Sequence, residues 1–238
     1  MSKPDLCYDR LHRQCTPSWN GTDLYLNEEH ERIWEIAKDI DGWQVPGDAY
    51  KLYEMAYHAG DVILEIGTYG GKSAVVEILG ARANPERRRI RWFGLDVDKS
   101  AIRNTKGTLE KWNLMEYCTL FCGDLAAFLK KHPISPTMVF VDGDHRYEGV
   151  KRDTEVLSSF VARDVPILFH DFLNPGKEHG DCEVKRACEE WEQSGHVRFM
   201  GCFGCSALFV TAAEPILRAR PSFWDRWKTR FPRQKVQS

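Results

Sequence analysis

From residue 62 onward, short apolar runs alternate with longer segments in which apolar positions recur every three or four residues. The stretches 62–66, 90–95, 118–122, 138–141 and 166–169 have the length and character of buried parallel strands. Between and after them the spacing predicts helices over 72–79, over 100–112 with Ser100 as N-cap, from 125, over 147–162 and over 181–193. Ahead of this alternation, 28–40 carries apolar residues at Ile33, Trp34, Ile36, Ala37 and Ile40, the spacing of an amphipathic helix. A second helix is expected over 48–58, with Gly60 placed to end it. Two further strand-like runs, 197–200 and 207–210, flank Cys202-Phe203-Gly204-Cys205 and read as a hairpin. Strands alternating with helices predict right-handed βαβ units and a parallel sheet. The expected fold is therefore α/β, a mostly parallel seven-stranded sheet with one antiparallel edge strand and helices on both faces. Three parts follow: an N-terminal helical segment over 1–58 on the substrate side, a core over 59–213 and a tail over 214–238.

Composition narrows the function. The 238 residues suffice for one sizeable α/β domain. With 42% hydrophobic and 29% charged residues, the chain reads as folded protein rather than disorder. A net charge of −2 supplies no overall drive toward nucleic acid or acidic membranes. No apolar stretch approaches the roughly 20 residues of a membrane span, and the start, Met1 to Cys7, lacks a signal-peptide run. The expectation is a cytoplasmic protein whose eight cysteines are free thiols, with a homo-oligomer left open. Cys202 and Cys205 read as incidental turn residues, because a redox Cys-x-x-Cys opens a helix and no second pair completes a zinc site. The tail sets Arg226, Lys228 and Arg230 among Phe223, Trp224, Trp227 and Phe231. Its preferred reading is a helix packing its aromatics on the domain; a membrane surface, acidic partner or nucleic acid is the other.

Ligands of open parallel sheets bind beyond the carboxyl ends of the strands, so the residues there carry the chemistry. Residues 62–73 make a strand, a glycine-rich turn and a helix start. The Gly-x-Gly-x-x-Gly dinucleotide fingerprint is absent, and Gly67 stands four rather than five positions before Gly71-Lys72-Ser73, which makes a phosphate loop a weak reading. Acids mark the first four strands in succession: Glu65, Asp96, Asp124 and Asp142. One such acid alone reads as a helix cap. The succession reads as a nucleoside-binding rim, with Asp96 accepting from ribose hydroxyls and Asp124 from an adenine amino group. The run 138–141 ends in Asp142-Gly143-Asp144-His145, and 166–169 ends in His170-Asp171. If these strands are neighbours, Asp142, His145, His170 and Asp171 converge, as for a divalent metal beside a general base. The structural alternatives are that Asp144 or His145 caps the next helix and that His170 is a buried histidine bonded to backbone.

The run Leu64-Glu65-Ile66-Gly67-Thr68-Tyr69-Gly70-Gly71-Lys72-Ser73, with Gly94-Leu95-Asp96 and Gly123-Asp124, resembles class I S-adenosylmethionine-dependent methyltransferases, nearest the small-molecule O-methyltransferases. The block from Phe140 to Asp153, with Phe169-His170-Asp171, resembles their metal-dependent branch, which includes macrocin-type sugar O-methyltransferases and the cephalosporin-hydroxylase-like group. The resemblance covers roughly residues 47–211 and implies a Rossmann-like fold. It implies that Glu65, Gly67 and Tyr69 lie along the methionine and sulfonium of the cofactor, with Thr68, Gly71 and Ser73 in the same loop. It further implies Asp96 and Val97 at the ribose, and Asp124 and Leu125 at the adenine. Asp142, facing the cofactor, and Asp171 match metal-ligand positions, and His145 matches the catalytic base. Where those enzymes place Glu-Asp, this chain has His170-Asp171, with one negative charge fewer. Magnesium is the expected ion; Mn²⁺ or Fe²⁺ tolerates imidazole better.

The implied reaction is methylation of a hydroxyl on a small molecule: a sugar, a natural product or a phenol. The candidate walls of the acceptor pocket are residues 1–58 and the loop 174–181, with Trp19, Tyr25, Trp34 and Trp43 either lining it or belonging to the core. A nicotinamide dehydrogenase would share the strand order and the acidic ribose contact, but lacks its fingerprint here. A metal phosphohydrolase could use His170-Asp171, although such pairs normally lie within helices. A scaffold that binds cofactor without turnover is the non-enzymatic alternative.

Overall fold

A computed structural model describes residues 28–59, 61–86, 89–173 and 182–212. Five strands run parallel: β1 (Val62–Ile66), β2 (Arg91–Asp96), β3 (Cys118–Cys122), β4 (Met138–Val141) and β5 (Pro166–Phe169). A terminal hairpin, β6 (Val197–Phe203) and β7 (Ser206–Thr211), completes a seven-stranded sheet ordered β3-β2-β1-β4-β5-β7-β6. β7 pairs antiparallel with both β5 and β6, so the reversed strand lies one place in from the edge. Phe203 pairs with Ser206, which leaves Gly204-Cys205 as a two-residue tip. Gly204 has a φ of 59°, the left-handed conformation such a turn requires.

The helices are α1 (Glu28–Ala37), α2 (Pro46–Ala59), α3 (Lys72–Ala83), α4 (Lys99–Lys111), α5 (Leu125–Lys131), α6 (Tyr147–Ser158) and α7 (Val184–Gln193). α6 stops short of the expected Ala162. The hydroxyls of Ser158 and Ser159 bond the carbonyls of Thr154 and Val156, and this competes with further helix. α4 corrects the expected cap: Asp98, not Ser100, is the N-cap, its carboxylate accepting from the Ser100 amide at 2.8 Å. Gly60, Trp19, Tyr25, the loop 174–181 and the tail from 213 lie outside the described residues. No helix among the described residues is long and apolar enough to cross a membrane.

Alternation along each strand divides the core in two. Ile63, Met138, Phe140, Leu168 and Leu208 pack beneath α1, α2 and α3, while Leu64, Val139, Val141, Ile167 and Phe169 pack on the other face with α5, α6 and α7. Both faces are covered, which is why the strands read as unbroken apolar runs. Trp34, half-buried, packs against the first of these clusters. The strand order reverses between β1 and β4, and this switch point opens the crevice in which such folds bind ligands.

Candidate active site

The crevice is closed by a contact that only glycine allows. The amide of Asp142 donates to the carbonyl of Ile66 at 2.7 Å, stitching the end of β4 to the end of β1. A Cβ on Gly67 would lie 2.0 Å from the carbonyl oxygen of Asp142, and Gly67 has a φ of 86°. The glycine loop is braced from β2. One oxygen of Asp96 accepts from the amides of Thr68 and Tyr69 at 3.0 and 3.3 Å, and the other accepts from the Asp98 amide at 2.9 Å.

Beyond these strand ends lies a cavity of about 580 Å³, within the usual range for small-molecule sites. It brings together Gly67, Tyr69, Asp96, Val97, Asp124, Leu125, Asp142 and His145 of the expected residues. Trp43, Tyr69 and Val97, at 72%, 48% and 75% exposure, are large hydrophobic residues left open to solvent, and all three stand at this cavity. Asp124 also caps α5, accepting from the Ala127 amide at 2.7 Å.

Other expected loop residues lie elsewhere. Glu65, Thr68, Gly71 and Ser73 do not line the cavity. Glu65 is fully buried under the loop, where it accepts from the Ser73 hydroxyl and faces Glu77. Glu77 in turn accepts from the Trp92 indole at 2.7 Å. Burial raises the Glu65 carboxyl well above its ordinary value, and Glu77 adds to the effect. Glu77 itself is pushed up to about 8, chiefly by burial. Both buried carboxyls therefore keep their protons to higher pH than exposed acids do. The reason is that Glu65 belongs to a strand covered on both faces, so its side chain points into α3 and not along the rim.

At the ends of β4 and β5 a second set of side chains converges. His170 Nδ1 lies 3.1 Å from Asp142 Oδ1 and 3.4 Å from Asp171 Oδ2, but out of line for a hydrogen bond with either. His145 Nε2 approaches the same two oxygens at 3.2 and 3.4 Å. Asp171 adopts a φ of 56°, the kind of strain found where a functional side chain must be aimed. Burial works against the charged form of His170, yet Asp142, Asp171 and Asp48 outweigh it and hold the imidazole well above its ordinary value. Burial likewise opposes ionisation of Asp142, but His170 and His145 prevail and lower its carboxyl. The hydrogen bond that His145 donates to Asp142 raises its imidazole above the ordinary value. The two histidines differ in access: the side chain of His145 is 39% exposed, that of His170 2%.

These residues fit a divalent cation. Asp142, His170 and Asp171 each offer one donor atom, all within 4.8 Å of one another. Neighbouring donors around an octahedral ion at about 2.1 Å stand about 3.0 Å apart, close to the two distances from Nδ1. The buried Nδ1 between two carboxylates makes up a donor set that could hold such an ion.

Sequence reasoning missed what lies behind His170. Its Nε2 stands 3.2 Å from Cys205 Sγ and 3.6 Å from Asp48 Oδ2, not against backbone carbonyls. Asp48, on α2, also accepts from the amides of Val45, Cys205 and Ser206 and from the Ser206 hydroxyl. Cys205 is therefore not incidental: the hairpin tip is tied to α2 and to His170. No spacing signal foretold this, because Asp48 and Cys205 meet only through packing of α2 on the hairpin. No disulfide joins the six cysteines among the described residues. Asp144 does not cap α6; it pairs with Arg146 at 2.7 Å, and Arg146 is the cap position.

With this geometry in view, comparison with known proteins is informative. Residues 64–172 match a family described as a methyltransferase domain, a span that holds the glycine loop, the acidic strand ends and the His170-Asp171 pair. The fold recurs in the O-methyltransferase TomG of Streptomyces achromogenes, involved in tomaymycin synthesis and solved with S-adenosylmethionine. That match has a TM-score of 0.59 and 19% identity over 82% of this chain and 97% of that one. It recurs in an O-methyltransferase of Bacillus cereus bound to S-adenosylhomocysteine, with TM-score 0.61 and 15% identity over 82% and 96%. The Podospora anserina methyltransferase PaMTH1, also bound to S-adenosylhomocysteine, matches with TM-score 0.58 and 16% identity over 79% and 89%. The chain shares the Rossmann-like fold of these methyltransferases, and its residues 64–172 are similar to a methyltransferase domain.

Proposed function

We propose that the protein is an S-adenosylmethionine-dependent O-methyltransferase that methylates a hydroxyl group of a small molecule with the help of a divalent cation. The observation that carries this reading is continuity: one cavity runs from Asp96 and Asp124, suited to a nucleoside, to Asp142 and His145 beside the candidate ligand set. Its structural relatives TomG and the Bacillus protein are O-methyltransferases holding the cofactor or its demethylated product.

S-adenosylmethionine supplies a methyl group already activated on a sulfonium, so the protein need not provide an acid. A cation held by Asp142, His170 Nδ1 and Asp171 would lower the pKa of a coordinated hydroxyl. The chain's own part is then positioning and proton transfer. Gly67 and Tyr69 line the cofactor's path, and Asp96 keeps the loop above it in shape. His145 takes the hydroxyl proton at its imidazole; its exposure to the cavity suits an entering acceptor, whereas buried His170 could not reach one. Trp43, exposed at the mouth, offers a ring for the acceptor to lie against.

Isothermal titration tests the first half: S-adenosylhomocysteine should bind, and NAD⁺ should not. Mn²⁺ binding followed by paramagnetic resonance tests the second. One ion per chain is expected, weakened at least about tenfold in Asp171→Asn. Absence of Mn²⁺ binding in the folded wild type would remove the cation from the reading and leave His145 to act alone.

A further inference from the structure

His170 turns its two ring nitrogens to different surroundings. Nδ1 faces the carboxylates of Asp142 and Asp171, and Nε2 faces α2 and the hairpin tip. Among the described residues, one group stands within hydrogen-bond reach of Nε2: the Cys205 sulfur, at 3.2 Å. Asp48 Oδ2, at 3.6 Å, is too far to bond that nitrogen directly. The sulfur in turn lies 3.4 Å from Asp48 Oδ2 and 3.9 Å from Asp171 Oδ1. A thiol has one proton to give, and a buried thiol keeps it at neutral pH. Asp48 accepts from three amides and a hydroxyl, the company of a carboxylate, and a carboxylate can only accept. The thiol proton therefore goes to a carboxylate, Asp48 being the nearer, and the sulfur is left to accept from Nε2. The hydrogen bonds run in one direction, from Nε2–H to Cys205 and from Cys205 to Asp48.

The tether between the tip and α2 does not need the thiol. Asp48 Oδ1 accepts from the backbone amides of Cys205 and Ser206 at 3.1 and 3.0 Å and from the Ser206 hydroxyl at 2.6 Å. Nor does packing need it: at 4% exposure, an apolar side chain would fill the same space. What the sulfur adds is an acceptor for Nε2–H. A histidine that binds a metal through one nitrogen carries its proton on the other, and that N–H needs a partner to hold the ring in place. We propose that Cys205 is a positioning residue for the candidate cation site. By accepting from Nε2 and giving its own proton to Asp48, it holds the imidazole with the Nδ1 lone pair turned to Asp142 and Asp171. The inference rests on the cation reading above and adds to it the groups that orient its histidine.

The test is Mn²⁺ binding followed by paramagnetic resonance, with S-adenosylhomocysteine affinity measured alongside by titration. Cys205→Val fills the space but removes the acceptor, so Mn²⁺ affinity should fall about tenfold or more while S-adenosylhomocysteine affinity holds. Cys205→Ser restores a group that accepts and donates, and should return Mn²⁺ affinity to near the wild-type value. A serine variant as weak as the valine one would overturn the assignment. A second measurement needs no variant and so survives a folding failure. In the Mg²⁺-loaded wild type, long-range proton–nitrogen correlation of the imidazoles should find the His170 proton on Nε2; a proton on Nδ1 would overturn the proposal. If the wild type binds no Mn²⁺, the cation reading fails and this inference with it. If the wild type and folded Cys205→Val bind Mn²⁺ equally, that reading stands and only the role of Cys205 falls.

Discussion

Replacing Glu77 by glutamine should stabilise the protein near neutral pH and leave it unchanged in acid. Glu77 is fully buried and faces Glu65, also fully buried; the pair receives a hydrogen bond from the Trp92 indole and one from the Ser73 hydroxyl. In the unfolded chain both acids ionise near 4.5, whereas in the fold Glu77 holds its proton to about 8. A carboxyl raised by folding contributes fully below its unfolded value, and its contribution is lost as pH climbs toward the folded one. From 4.5 to pH 7, at about 1.4 kcal/mol per pH unit, the loss attached to Glu77 is on the order of 3 kcal/mol. Glutamine is neutral throughout. It can keep the indole hydrogen bond through its carbonyl and donate its amide to Glu65. The gain should therefore be about 1–3 kcal/mol at pH 7.5 and within a few tenths of zero at pH 4. Urea unfolding of both proteins from pH 4 to 8.5, followed by tryptophan fluorescence, measures the difference directly. A glutamine variant that is destabilised equally at every pH would refute the raised carboxyl of Glu77 and require a compensating cation beneath the loop.

Asp96→Ala should weaken S-adenosylhomocysteine binding at least tenfold in titration, because it removes charged acceptors worth about 1.5–3 kcal/mol each and also frees the amides of Thr68 and Tyr69; unchanged affinity would mean that Asp96 only braces the loop. His145→Ala should leave S-adenosylhomocysteine and Mn²⁺ affinity nearly intact while lowering kcat by about 10²-fold, once an acceptor is found in a methyl-transfer screen. Loss of Mn²⁺ with near-normal turnover at saturating metal would instead make His145 a ligand.

The strands, their alternation with helices and the identity of the rim acids were legible in the chain, because local patterning dictates which residues end each strand. The runs ending at Ile66, Asp96, Cys122, Val141 and Phe169 sit within a residue of their expected bounds. From there the rule that ligands gather at strand ends leads to Asp96, Asp124, Asp142 and His145. What local pattern does not encode is the direction a side chain takes once layers pack. Glu65 looks like a rim acid by its place in the chain, yet α3 covers it and turns it into half of a buried acid pair. Asp153 looks like an ordinary helix residue, and only the packing of α6 against the end of β4 aims it into the cavity. Asp48 and Cys205, 157 positions apart, become hydrogen-bonded neighbours behind His170 because α2 docks on the hairpin tip. The elements and the chemistry at their ends depend on near neighbours along the chain and can be read from it directly. Which of those groups lie buried together and which line the cavity follows from the packing of the layers, since charge and solvation depend on everything that surrounds a group in space.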